Sequence, residues 1–342
     1  MTIRLGILGG GNISDTHARA ALETPDAEVC AFWGRRAEQA RALAERYGGV
    51  PYDDLDRFLR HDGLDAVVIG SPSGLHAEHG AAAAKRGLHV LVEKPLDVTT
   101  EHTDELIAEC QRASVTLGVI FQDRTAPHLV WLKRLIDSGE LGKPILASAR
   151  VRWFRPPEYY ASSRWRGRWK FDGGGAVMNQ GIHSVDLLLW LLGDVDRVHA
   201  ATRTALHEIE TEDTAVATLE FASGAIGTYE AATSAYPGSP RRIELTGTEG
   251  TIVVEHDCVV SVGLRRPVRK QPPAADENTN ASATSPVVSD TRGHRRVLDD
   301  FIAAIQTGSS PLCDGRDGRR SVALVEAMYQ SARTGTPISL RS

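Results

Sequence analysis

Five short apolar runs, at 3–8, 28–33, 65–70, 89–92 and 116–121, alternate with helix-like stretches at 14–22, 37–47, 76–86 and 101–113. No other feature of the 342-residue chain restricts its fold as much. Strands separated by helices build βαβ units, and right-handed crossovers then make the sheet parallel. The strand C-termini of such a sheet share one edge, where open α/β sheets take their ligands. Residues 1–122 are therefore expected to form a doubly wound α/β domain.

The pattern changes near residue 123. A helix at 127–138 leads into longer strand-like stretches at 144–154, 195–204, 214–221, 225–232, 241–247 and 250–256, with one helix at 175–192 among them. Thr246-Gly247-Thr248-Glu249-Gly250 reads as a hairpin turn. The expectation for 123–342 is an α+β domain with an open, mostly antiparallel sheet. Within it, 265–294 is rich in Pro, Ala, Ser, Thr and Asn and reads as a long mobile loop.

Hydrophobic residues at 42% and charged residues at 24% are ordinary globular usage, and a net charge of -5 implies no basic face for nucleic acid. Cys30, Cys110, Cys258 and Cys313 are far apart and form no CxxC pair, so buried reduced thiols are expected and no metal site. The chain enters a strand pattern at once, without the features of a signal peptide, and its longest apolar run, 185–192, contains Asp186. No membrane partner and a cytoplasmic location are expected.

Gly9-Gly10-Gly11-Asn12-Ile13-Ser14 lies between the first strand and the first helix. Gly9 permits a sharp turn, and Gly11 lets the backbone approach a pyrophosphate that the helix N-terminus attracts. Ser14 holds the place of a third glycine. The second strand runs into Ala31-Phe32-Trp33-Gly34-Arg35-Arg36, without the acid that would accept from a ribose 2′-hydroxyl. Guanidinium groups there suit a 2′-phosphate, so NADP(H) is the expected cofactor, with NAD(H) the alternative.

Glu93-Lys94-Pro95 closes the strand at 89–92, on the ligand edge. A lysine placed there can polarise a substrate oxygen. The second cluster runs from Gly173-Gly174-Gly175 through Asn179-Gln180-Gly181-Ile182-His183 to Asp186. On an α-helix, Asn179 and His183 share a face with Asp186 just beyond, and His183 is the side chain suited to exchange a proton. Trp153, Phe154, Arg155, Tyr159, Tyr160, Trp165, Arg166 and Trp169 form an aromatic and cationic stretch fit for the C–H face and hydroxyls of a sugar, or for sealing a subunit interface.

These segments, with Ser71-Pro72 and His76, Gly139-Glu140-Leu141-Gly142 and the closing Tyr329 to Gly335, resemble in order and spacing the Gfo/Idh/MocA family of glucose–fructose oxidoreductase, inositol dehydrogenase and rhizopine catabolism proteins. The resemblance covers nearly the whole chain. It implies a Rossmann domain joined to an α/β domain whose open sheet forms subunit contacts, hence a homodimer or homotetramer. It also implies an oxidoreductase that interconverts a secondary alcohol and a ketone on a sugar, cyclitol or sugar derivative. The catalytic pattern carries over to Lys94 and His183, drawn from separate domains to meet at the reacting carbon. Cofactor contacts fall on Gly9, Gly11, Asn12, Ile13, Arg35, Arg36, Ser71, Pro72, His76, Glu93, Lys94 and Gln122. Substrate contacts fall on Lys94, Arg124, Tyr160, Trp165, Arg166, Asn179 and His183.

Asn179 stands where the family motif Asp-x-x-x-His has its aspartate, and an amide cannot stabilise an imidazolium by charge. The Asn179-Gln180 form is similar to a branch that includes nucleotide-sugar 3-dehydrogenases. Two other readings use the same residues: a catalytically silent cofactor sensor, and a reductase or dehydrogenase of a non-sugar cyclic substrate.

Overall fold

The computed structural model describes residues 1–274 and 290–341. In chain order the elements are β1 (Ile3–Leu8), α1 (Asn12–Leu22), β2 (Ala27–Trp33), α2 (Ala37–Tyr47), β3 (Val50–Tyr52), α3 (Leu55–Leu59), β4 (Ala66–Ile69), α4 (His76–Ala84), β5 (His89–Glu93), α5 (Thr100–Ala113) and β6 (Leu117–Ile120). They continue as α6 (Pro127–Asp137), β7 (Pro144–Arg152), α7 (Pro157–Ala161), α8 (Trp169–Asp172), a π-helical turn (Ala176–Gly181), α9 (Ile182–Leu192), β8 (Val195–Arg203) and β9 (Thr214–Phe221). The rest are β10 (Ile226–Ala232), β11 (Arg242–Gly247), β12 (Gly250–Glu255), β13 (Cys258–Leu264), α10 (Arg292–Thr307), α11 (Gly315–Thr334) and β14 (Ile338–Ser339).

The described residues cluster into two units, one from 1–122 and 290–319, the other from 123–274 and 320–341. The sequence pattern groups 290–319 with the second domain, whereas these residues pack with the first. Val297, Leu298, Phe301 and Ile302 of α10 share a buried cluster with Ile3, Leu5, Leu91 and Ile120 of the sheet, and Thr291 donates to Glu23.

The first unit is a parallel sheet in the order β3-β2-β1-β4-β5-β6, the doubly wound arrangement. Its central strands have almost continuous apolar runs, such as Ala66–Ile69, because helices cover both faces. Two elements are not anticipated by the apolar pattern. β3 is only three residues long and contains Pro51, tolerable because it is an edge strand. α3 is a single turn capped by Asp54, whose carboxylate accepts from the Arg57 amide at 2.7 Å.

The second unit is a mixed sheet in the order β13-β12-β11-β7-β10-β9-β8-β14, antiparallel except where β7 and β10 run parallel. Burial alternates along β9 and β11, so one face packs inward and the other carries exposed Leu146, Val216 and Ile226. The β11–β12 hairpin turns through Thr248-Glu249, as expected.

The stretch expected as a mobile loop is partly anchored. Arg269 N donates to Glu140, the Lys270 carbonyl accepts from the Trp131 indole at 2.7 Å, and Arg292 to His294 already belong to α10. The remainder of that expectation, 275–289, lies outside the described residues. Among the described residues no disulfide joins the four cysteines, and burial pushes the Cys30 thiol up to about 11.

Candidate active site

In the first unit, β1 ends at Leu8 and the chain turns through Gly9, whose φ of +141° is a region L side chains avoid. A Cβ on Gly9 would lie 2.6 Å from the Gly70 carbonyl oxygen. At Gly11 the situation is the reverse: a Cβ would meet no atom within 4 Å, so the flank of the turn is open. Gly11 caps α1 without a side-chain bond, and Asn12 and Ile13 open the helix with their N–H groups toward that open flank. The turn thus fits a dinucleotide pyrophosphate.

Beside it, the segments after β4 and β5 are tied together. His76 sets one ring nitrogen 2.7 Å from the Pro95 carbonyl oxygen and the other 2.9 Å from that of Ser71. His79 meets the Ser71 hydroxyl at 2.9 Å and packs edge-on to Trp33, and burial lowers its pKa to about 4. His76 therefore ties the segment at Ser71 to the segment at Pro95. Arg35 and Arg36 lie on the exposed start of α2, and Gln122 packs on Gly293.

Next to Lys94, Glu93 is a buried carboxylate whose two histidine partners the sequence did not single out. Glu93 Oε1 faces His17 Nε2 of α1 at 3.3 Å and His294 Nε2 of α10 at 3.4 Å, and its Oε2 accepts from the Lys94 amide at 3.2 Å. Burial alone would raise the Glu93 carboxyl, but the two imidazoles outweigh it and hold it well below its usual range. Lys94 is half-buried at the end of β5.

In the second unit, the glycine run ends in a π-helical turn, so 175–192 is not one α-helix and Asn179 and His183 are not an α-helical i, i+4 pair. The turn is pinned by Glu212, whose carboxylate accepts from the amides of Gly175 at 3.0 Å and Val177 at 2.8 Å. Tyr329 donates to the same carboxylate, and burial pushes Glu212 up to about 7. Asn179 donates to Asp172 and accepts from Gln180, which also donates to the Tyr159 hydroxyl and accepts from Arg155 at 3.0 Å. Arg166 stacks on Tyr159 at 4.3 Å and on Trp165 at 5.4 Å. His183 opens α9, and its Nδ1 lies 3.4 Å from Asp123.

Residues 3–121 match the family model for an oxidoreductase family NAD-binding Rossmann fold, and residues 129–253 match the Gfo/Idh/MocA C-terminal domain. The D-xylose 1-dehydrogenase (NADP(+)) 2 of Haloferax volcanii is 31% identical over 98% of this chain and 99% of its own length. The chain belongs to the Gfo/Idh/MocA family. It is an NAD-binding oxidoreductase, and its relatives include proteins named as sugar and cyclitol dehydrogenases and reductases. Among them, the inositol 2-dehydrogenase of Rhizobium meliloti is 27% identical over 99% of this chain and 100% of its own length. The WlbA dehydrogenase of Bordetella pertussis, solved with NADH and UDP-GlcNAcA, superposes with a TM-score of 0.90 at 34% identity, over 100% of this chain and 98% of that one.

Within the Gfo/Idh/MocA frame, two expected substrate residues turn out to be interior. Arg124 is 1% exposed and grips Asp186 with two hydrogen bonds of 2.8 and 2.6 Å, because a buried guanidinium needs a carboxylate. Tyr160 points inward from the short α7, its hydroxyl 2.8 Å from that of Thr233 and its ring against His207. Its neighbour Tyr159 is the one that joins Gln180 and Arg166. The amide at 179 also has a physical reason in this Gfo/Idh/MocA chain: an aspartate there would set its carboxylate against that of Asp172.

Proposed function

We propose that this chain interconverts a secondary alcohol and a ketone on a sugar, cyclitol or sugar derivative, with NADP(H) as the preferred cofactor. The observation that carries the reading is Lys94 on the ligand edge of the parallel sheet, where its amide donates to Glu93 and the next residue, Pro95, is held by His76. Gly9, Gly11, Asn12 and Ile13 would hold the pyrophosphate, and the nicotinamide supplies the hydride acceptor or donor. Lys94 binds and polarises the substrate oxygen, and His183 takes or returns its proton. Asn179, Trp165 and Arg166 orient the sugar.

The preference for NADP(H) rests on Arg35 and Arg36 after β2 and on the lack of an acid at that strand end. The relative from Haloferax volcanii is named as NADP(+)-dependent, whereas the Bordetella pertussis structure holds NADH. The exposed apolar residues of the second sheet suit a homodimer or homotetramer, and four cysteines not joined by disulfides fit a reducing compartment such as the cytoplasm.

A panel of polyols, aldoses and nucleotide sugars, read at 340 nm with each cofactor, tests this. UDP-GlcNAcA belongs on it because the 34% identical relative binds it. Turnover of a sugar with a higher kcat/KM for NADPH or NADP(+) supports the reading. Cofactor binding without turnover, or a clear preference for NADH or NAD(+), contradicts its first or second part.

A further inference from the structure

We infer that Asp123 is the carboxylate that orients His183 and stabilises its charged ring, the role Asn179 cannot fill. The inference rests on the reading of His183 as the proton-exchanging group. Asp123 lies outside the Asn179–His183 block, in a 3-10 turn over Gln122–Thr125 just before α6. Its Oδ2 is 3.4 Å from His183 Nδ1 and 2.6 Å from Arg241 Nη1, and Arg241 also pairs with Asp257.

Three observations give this contact a chemical role. The side chains of His183 and Asp123 are 11% and 12% exposed, so the pair interacts with little screening by water. Arg241, buried against the same oxygen, favours the ionised carboxylate, so Asp123 faces the ring as a fixed negative charge. Asn179 is engaged by Asp172 and Gln180, and an amide offers no charge.

A carboxylate at Nδ1 sets the tautomer. Nδ1 carries the hydrogen, and Nε2 keeps the lone pair that receives a proton. In the oxidative direction the substrate O–H bond breaks and an N–H bond forms at Nε2, while the hydride leaves carbon with its electron pair for the oxidised nicotinamide. The ring becomes a cation beside Asp123, which itself gains no proton. The charged groups that bear on the ring through this cluster are Asp123, Arg241 and Asp257.

The test is ¹⁵N NMR of the His183 ring across pH, without cofactor or substrate, in the wild type, Asp123→Asn and Asp123→Glu, with turnover measured alongside. The wild type is expected to show the neutral ring protonated at Nδ1. Asp123→Asn should shift the hydrogen toward Nε2, lower the ring's titration midpoint by at least roughly one pH unit, and depress kcat about 10²-fold or more with KM changed little. Asp123→Glu should restore the Nδ1 hydrogen and part of kcat. A wild-type ring protonated at Nε2, or an Asp123→Asn ring that titrates as in the wild type, overturns the inference, and the wild-type spectrum decides even if the asparagine variant misfolds. A wild type that shows the expected ring but turns over no substrate sinks the enzymatic reading and leaves the Asp123–His183 pairing standing.

Discussion

The hydroxyl of Tyr329 donates to Glu212 Oε1 at 3.0 Å, on the oxygen that also accepts from the Val177 amide. A carboxylate with almost no exposure thus holds the start of the π-helical turn that carries Asn179 and Gln180.

This arrangement makes stability depend on pH. Burial raises Glu212 to about 7, against the opposing pull of the Val177 and Gly175 amides, so the folded protein holds a proton that the unfolded chain releases near 4.5. Stability from this group is full below the unfolded value and is lost as pH rises through the folded one. Between about pH 4.5 and 7.5 the wild type should lose about 3 kcal/mol more than Glu212→Gln, measured by denaturant unfolding at stepped pH. Parallel pH profiles for the two proteins would show that Glu212 titrates normally.

Gly9 and Gly11 should respond differently to alanine. At Gly9 a Cβ meets the Gly70 carbonyl at 2.6 Å with φ at +141°, so Gly9→Ala should lower Tm by several degrees. At Gly11 a Cβ meets nothing within 4 Å, so Gly11→Ala should fold and lose only what alanine costs at a helix N-cap, a smaller fall in Tm than at Gly9. It should still weaken dinucleotide binding roughly tenfold or more, because the methyl stands where the pyrophosphate approaches. Calorimetric titration with NADPH and NADH, beside a thermal melt, reads both effects.

Much of this was legible because it depends on local pattern. The βαβ alternation, the Gly9 to Ser14 turn and the Glu93-Lys94-Pro95 strand end each occupy one short segment whose backbone geometry follows from its residue types. The residues that went unread depend on distant partners. Glu212 sits in the acidic stretch Glu210-Thr211-Glu212-Asp213, and nothing local tells that its partners are Gly175, Val177 and Tyr329. His17 and His294 meet at Glu93 only because α1 and α10 both pack on the first sheet. Asp123 lies between Gln122 and Arg124, both singled out, and its own signal was a charged residue just past the last strand of the first sheet. The π-helical turn has no periodic signature, so 175–192 reads as one α-helix.

The Arg124–Asp186 pair should behave as structure and not as a substrate contact. Arg124→Ala leaves a buried carboxylate with its ion-pair partner removed, which costs about 3–5 kcal/mol in unfolding experiments. The fraction that folds should keep its KM. A KM raised tenfold with stability intact would return Arg124 to the substrate.

Lys94 carries the central claim, and the kcat of Lys94→Ala tests it most directly, measured with a panel substrate at saturating cofactor and compared with cofactor affinity from fluorescence titration. The account predicts a fall in kcat of about 10²–10⁴-fold while cofactor affinity stays within a few-fold of the wild type. Turnover close to the wild-type rate would contradict it.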